Sequence, residues 1–165
     1  MKRLAVIASV FCLVLISLIS AAAAKSDFSG TWEMDSKKSE GVPPDMEQTM
    51  TVKQTGDTID QETKVMSEQG DQTVSSAYVL DGKEVEYPVQ RQIGEGKGKR
   101  TSKWTADGNG FEVNEEETID TPNGAVVLKF ARKWMMAADG KSLTIELDVT
   151  SPNGPIHTKR LFVKK

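Results

Sequence analysis

The sequence predicts an all-β fold: one antiparallel, up-and-down β-barrel of about ten strands, with eight to nine strands or a partly open barrel as the variants of the same plan. Three observations carry this. Turn signals recur along the chain about 11 to 17 residues apart, among them Gly56-Asp57, Asp81-Gly82, the Gly94 to Gly98 stretch, Asn123-Gly124, Asp139-Gly140 and Asn153-Gly154. The segments between them alternate apolar and polar residues with a period of two, as half-buried strands do. No stretch of ten or more residues beyond the N-terminal segment carries a convincing helical period.

The first 24 residues stand apart. Lys2 and Arg3 precede an apolar run from Leu4 to Ser20, and Ala21 to Ala24 lead into polar Lys25, Ser26 and Asp27. A charged start, an apolar middle and a small-residue end make a secretory signal peptide, with cleavage expected after Ala24. The run is slightly short for a retained membrane span. Cys12 lies inside it behind bulky Phe11, which is the wrong place for a lipidated cysteine. The expectation is an exported chain of residues 25–165, periplasmic or secreted, that meets a membrane only during export.

Lys2 and Arg3 leave with the signal, which takes the basic residues from 21 to 19 against 24 acidic ones and the net charge from −3 to −5. That balance argues against a nucleic-acid partner. Cys12 is the only cysteine, so the exported domain has no disulfide and stands on its core. A chain of that length buries about two thirds of its unfolded surface, which suffices.

Strands are expected over 28–35, 47–55, 58–68, 72–80, 83–92, 99–106, 110–121, 124–137, 142–151 and 155–164. Leu143, Ile145, Leu147 and Val149 alternate with Thr144, Glu146, Asp148 and Thr150 in the clearest case. Ile59 and Val65 share a face with Gln61 and Thr63. Val74, Tyr78 and Leu80 share another, as do Val85, Tyr87 and Val89. Val126, Leu128, Phe130, Trp134 and Met136 share a face with Arg132. A short helical turn is the most that 36–47 allows, since Pro43-Pro44 limits it. Closure of the hairpin series removes its unpaired edges.

Phe28-Ser29-Gly30-Thr31-Trp32 opens the domain and Thr158-Lys159-Arg160-Leu161-Phe162-Val163-Lys164-Lys165 ends it. A Gly-x-Trp in the first strand and a basic residue in the last resemble the calycin superfamily, the lipocalins and fatty-acid-binding proteins. The chain also looks like small secreted bacterial lipocalin-like proteins. First and last strands must meet in a barrel, so Trp32 is expected at the seam with a cation from Lys159 or Arg160 stacked on it. The resemblance further implies an inward arginine with an aromatic two residues on, which Arg160 and Phe162 match; Arg132 is a looser match to a second arginine. A guanidinium fork suits a carboxylate. The family's two-helix lid has no room in Ser36 to Glu47.

Arg132 lies on the apolar face of its strand, and Glu115 and Glu117 share a face with Phe111, Val113 and Ile119. Three readings stand open: a polar ligand site inside the barrel, an internal ion pair, or a bulge that turns either set outward. Glu115 and Glu117 on one strand make no glycosidase pair. His157 is the only histidine, and without a cysteine beyond the signal neither a catalytic triad nor a zinc site is expected. Asp107 to Gly110 lacks the ligands of a calcium loop and reads as a tight turn. The Gly94 to Gly98 stretch lacks the Lys-Ser/Thr ending of a phosphate loop. It reads as a flexible hairpin loop, or as a basic portal with Lys97, Lys99, Arg100 and Lys103.

The expectation is a non-enzymatic, monomeric carrier without cofactor or metal. It holds a small apolar or amphipathic ligand, a fatty acid or other carboxylate, among Tyr78, Tyr87, Trp104, Phe130, Arg132, Trp134, Arg160 and Phe162. The alternative is a filled barrel that works as an envelope or interaction protein. A ten-strand barrel leaves more room inside than an eight-strand one, which favours the carrier.

Overall fold

The computed structural model describes residues 24–67 and 70–165. The expected signal segment therefore lies outside the described residues, apart from Ala24. Ten strands follow in order: β1 (Gly30–Met34), β2 (Glu47–Thr55), β3 (Thr58–Met66), β4 (Gln72–Val79), β5 (Asp81–Arg91), β6 (Gly94–Trp104), β7 (Gly110–Thr121), β8 (Gly124–Met136), β9 (Ser142–Ser151) and β10 (Gly154–Lys164). All pair antiparallel in one sheet, ordered β4-β3-β2-β1-β10-β9-β8-β7-β6-β5. The described residues contain no helix, and 36–47 is a run of turns rather than a helical turn.

The barrel is nearly closed. β1 meets β10 through Trp32↔Lys164 and Met34↔Phe162, but β4 and β5 are the two ends of the sheet and do not pair. Arg100 from β6 spans the gap between them: its Nη1 donates to the Ala77 carbonyl at 2.9 Å, and its guanidinium lies 5.2 Å from the Tyr78 ring and 4.8 Å from the Tyr87 ring.

Two expectations about the strands change. β6 begins at Gly94, so the glycine stretch is strand and not a flexible loop. Its glycines are there for close approach: a Cβ on Gly96 would run into the Thr118 carbonyl, and one on Gly98 into the Tyr87 ring. Lys99 and Lys103 face Glu84 and Glu112 at 3.1 and 3.6 Å and Arg100 turns inward, so three of the four cations of the supposed basic portal are committed elsewhere. At the seam the cation over Trp32 is Lys164, 5.2 Å from the ring, in place of Lys159 or Arg160. Lys164 sits directly opposite Trp32 in register. Gly30 leaves space for its stem, where a Cβ would stand 2.7 Å from Lys164 Cε. Lys159 pairs outward with Glu146 at 3.8 Å.

Pro-Asn-Gly tips close both β7–β8 and β9–β10. In each, glycine takes a positive φ, 113° at Gly124 and 108° at Gly154. A hydroxyl donates to the glycine carbonyl, Thr121 at 2.7 Å in one and Ser151 at 3.0 Å in the other. Glycine tolerates that backbone and the side chains fix it.

One end of the barrel is sealed. Residues 25–28 cross it: Ser26 N–H donates to the Gly108 carbonyl at 2.9 Å, and Phe28, fully buried, packs edge-on to Phe111 at 5.1 Å. Phe111 stacks on Trp134 at 4.8 Å, and Trp104 closes the cluster 6.3 Å from Phe111. The other end is open. Val74 and Ile156 share the inner-face parity of Tyr78 and Arg160 yet are 51% and 57% exposed. The β1–β2 connection covers part of this mouth, bridging Glu40 to Lys159 and packing Val42 and Met46 against the core.

Candidate functional site

Alternation along each strand decides which charges enter the barrel. Four arginines do so, Arg91, Arg100, Arg132 and Arg160, against two glutamates, Glu115 and Glu117. The interior is thus cationic although the whole chain is acidic.

The two glutamates are taken. Arg91 grips Glu117 with two hydrogen bonds, Nε to Oε2 at 3.0 Å and Nη2 to Oε1 at 2.6 Å, and the Tyr87 hydroxyl adds a third at 3.2 Å. The Glu117 bond raises the Arg91 pKa. Burial, reinforced by Glu115 and Glu117, raises that of Tyr87 far above the ordinary phenol value. Arg132 Nη1 binds Glu115 Oε2, and Arg100 Nε lies 3.5 Å from Glu115 Oε1. Of the three readings open for Arg132 and Glu115, the internal ion pair between adjacent strands is the one the structure contains.

Arg160 has no carboxylate. It extends from β10 between buried Thr158 and Phe162, and its one hydrogen bond is a long one, Nη1 to Gln48 Oε1 at 3.4 Å. Its Nε is buried without a partner. Burial, followed by the like charge of Arg132, lowers its pKa. A half-buried guanidinium with so little compensation carries a desolvation cost that an arriving anion relieves.

Arg160 and Arg132 line a cavity of about 190 Å³. Met50, Val65, Trp134, Ile145, Leu147 and Phe162 make its apolar wall, and Gln48, Gln61, Thr63 and Ser76 its polar one. Two further buried polar atoms of lining residues have no partner, Trp134 Nε1 and Gln61 Oε1. The other two indoles are satisfied: Trp32 Nε1 donates to the Phe28 carbonyl and Trp104 Nε1 to Asp57, both at 2.9 Å.

Of the residues expected at a ligand, the structure gathers Tyr78, Arg132, Trp134, Arg160 and Phe162 around this cavity. Tyr87 stands apart, over Gly98 and bonded to Glu117. Trp104 belongs to the sealed end. Phe130 lies between Arg91 and Arg132, 5.7 and 5.3 Å from their guanidinium carbons. Gln48 and Gln61 were not expected there, although Gln61 shares the apolar face of Ile59 and Val65, a polar residue where a core strand has no need of one.

The zebrafish ileal bile acid-binding protein, in a crystal structure with cholic acid, is similar over 84% of this chain and 98% of its own, with a TM-score of 0.50 and 19% identity. The fold is calycin-like. Secretory abundant heat soluble protein 4 from Ramazzottius varieornatus aligns over 87% of this chain and 97% of its own, with a TM-score of 0.48 and 14% identity. Neither a protein-family model nor a curated protein matches the chain.

Proposed function

We propose that the protein is an exported, non-enzymatic carrier for a small amphipathic carboxylate. The ligand's acid group meets Arg160, and its apolar part follows Leu147 and Phe162. The observation that carries this reading is the half-buried Arg160 side chain, which lacks a carboxylate partner, has a buried and unpaired Nε, and lines a cavity with an apolar wall. The calycin-like barrel, in which a neighbour of the same fold holds cholic acid, supports small-ligand binding. The signal-like segment and the likeness of Phe28 to Trp32 to secreted bacterial lipocalin-like proteins support export. The interior arginines form a single-anion site rather than a paired fork, because Glu115 occupies Arg132.

The cavity limits the ligand. At about 190 Å³ it is below the roughly 300–1,000 Å³ of drug-sized sites. It holds an acid group and a few carbons, and a longer tail leaves by the open mouth past half-exposed Val149 and Ile156. The same volume favours the second reading, a filled barrel that acts through its outer surface. Titration calorimetry of residues 25–165 with octanoate separates the two. The carrier reading expects saturable one-to-one binding, weakened about 10- to 100-fold in Arg160→Met, since a charge-assisted hydrogen bond is worth about 1.5–3 kcal/mol. No heat with octanoate or with shorter and longer acids supports the filled barrel.

A further inference from the structure

We infer that the cavity is built for an acid that also carries a hydroxyl group close to its carboxylate; this rests on the reading of Arg160 as the anion's partner. Three buried polar atoms of residues that line the cavity have no partner: Arg160 Nε, Trp134 Nε1 and Gln61 Oε1. They differ in kind. The first two are N–H donors, and a carboxylate, which only accepts, satisfies both. Gln61 Oε1 is an acceptor. A carboxylate cannot satisfy it and repels it, so an unsubstituted acid leaves that oxygen stripped of water and unpaired.

The Gln61 amide is anchored at one end. Its Nε2 donates to Thr63 Oγ1 at 2.6 Å, and Thr63 is itself buried. That bond uses one of the two amide protons and leaves Oε1 as the end of the amide without a partner. Ser76, the direct partner of Gln61 across the β3–β4 ladder, lines the cavity beside it. A ligand hydroxyl has the two faces this spot asks for: its proton goes to Gln61 Oε1 and its oxygen accepts from the Ser76 hydroxyl. The volume sets the spacing. A space of about 190 Å³ is about six water volumes at ~30 Å³ each, so the hydroxyl and the acid group lie within a few carbons of each other. Sites that hydrogen-bond a substrate hydroxyl discriminate strongly against the analogue without it, because their own polar atoms are then left unpaired.

Calorimetry on residues 25–165 with octanoate, 2-hydroxyoctanoate and 3-hydroxyoctanoate tests this. At least one hydroxy acid is expected to bind about tenfold or more tighter than octanoate. In Gln61→Met, checked for folding by circular dichroism, the preference collapses to within about twofold, with octanoate gaining affinity because no stranded oxygen remains and the hydroxy acids losing their partner. Equal binding of all three acids to the unsubstituted protein overturns the hydroxyl inference and leaves the Arg160 reading intact, whatever the variant does. A preference that persists in Gln61→Met overturns the role of Gln61. No binding of any of the three overturns the Arg160 reading and this inference with it.

Discussion

Arg160 and Arg132 line the same cavity, yet replacing each with methionine should move stability in opposite directions. Met matches the length of the arginine stem and fills irregular space. Arg132 holds Glu115 in the barrel, and Glu115 is only 10% exposed. Removing one partner of a buried pair strands the other, at about 3–5 kcal/mol. Arg100 remains 3.5 Å from Glu115, so the expected loss for Arg132→Met is smaller, roughly 2–3 kcal/mol. Arg160 strands nothing comparable. Its loss frees Gln48 Oε1 from one bond of 3.4 Å and removes a poorly compensated, half-buried charge. Hydrophobic replacement of buried charges gains about 1–4 kcal/mol in favourable cases, and an unpaired Gln48 returns about 1 kcal/mol of that. A net gain of about 1–2 kcal/mol follows for Arg160→Met. In a domain of this size, one kcal/mol shifts Tm by roughly 3–5 °C. Urea unfolding followed by tryptophan fluorescence, with thermal melts alongside, reads both variants. A loss for Arg160→Met equal to that for Arg132→Met would refute the reasoning: Arg160 would then be a paired structural residue and not a charge kept for a ligand.

Tyr87 gives a prediction in alkali. Burial and the two glutamates raise its folded pKa above the unfolded value near 10. Stability from this group is therefore complete below pH ~10 and declines as pH rises further, because the unfolded chain releases a proton that the folded one retains. Absorbance titration near 295 nm should show Tyr87 ionising only as the barrel opens, and Tyr87→Phe should flatten the alkaline fall in stability. At Gly98 an added Cβ meets the Tyr87 ring. Gly98→Ala should cost about 1–3 kcal/mol through overpacking, and most of that should return in the double variant with Tyr87→Ala. Lys164→Ala, which removes the cation over Trp32, should cost only about 0.5–1 kcal/mol because Lys164 itself is exposed, measured by the same melts.

Much of the fold was legible because hairpins write themselves locally. The alternation of Leu143 to Val149 and the two Pro-Asn-Gly tips place β7 to β10 within a residue or two of their observed bounds. β6 was misplaced because glycine marks both loops and close approach. Only the neighbours, Thr118 and Tyr87, reveal that Gly96 and Gly98 serve the second purpose. Arg100 lay inside the expected strand 99–106 and shares the parity of Trp104, but grouping it with the neighbouring lysines as a portal hid its inward position. Period-two patterns report which face a side chain takes but not its depth along the barrel. Trp104 and Trp134 therefore looked equivalent, though one seals the end and the other lines the cavity. Partner choice was likewise invisible: nothing in the spacing says that Glu115 takes Arg132 and leaves Arg160 alone.

The three indole N–H groups offer the most direct test of the account. Trp32 and Trp104 already donate to Phe28 and Asp57, and Trp134 has no acceptor. In proton–nitrogen correlation spectra of residues 25–165 titrated with octanoate, the Trp134 indole and the Arg160 Nε–H signals should move together and saturate, while the Trp32 and Trp104 indoles stay in place. Saturating octanoate that leaves both Trp134 and Arg160 unmoved would contradict the claim that this barrel holds an acid on Arg160.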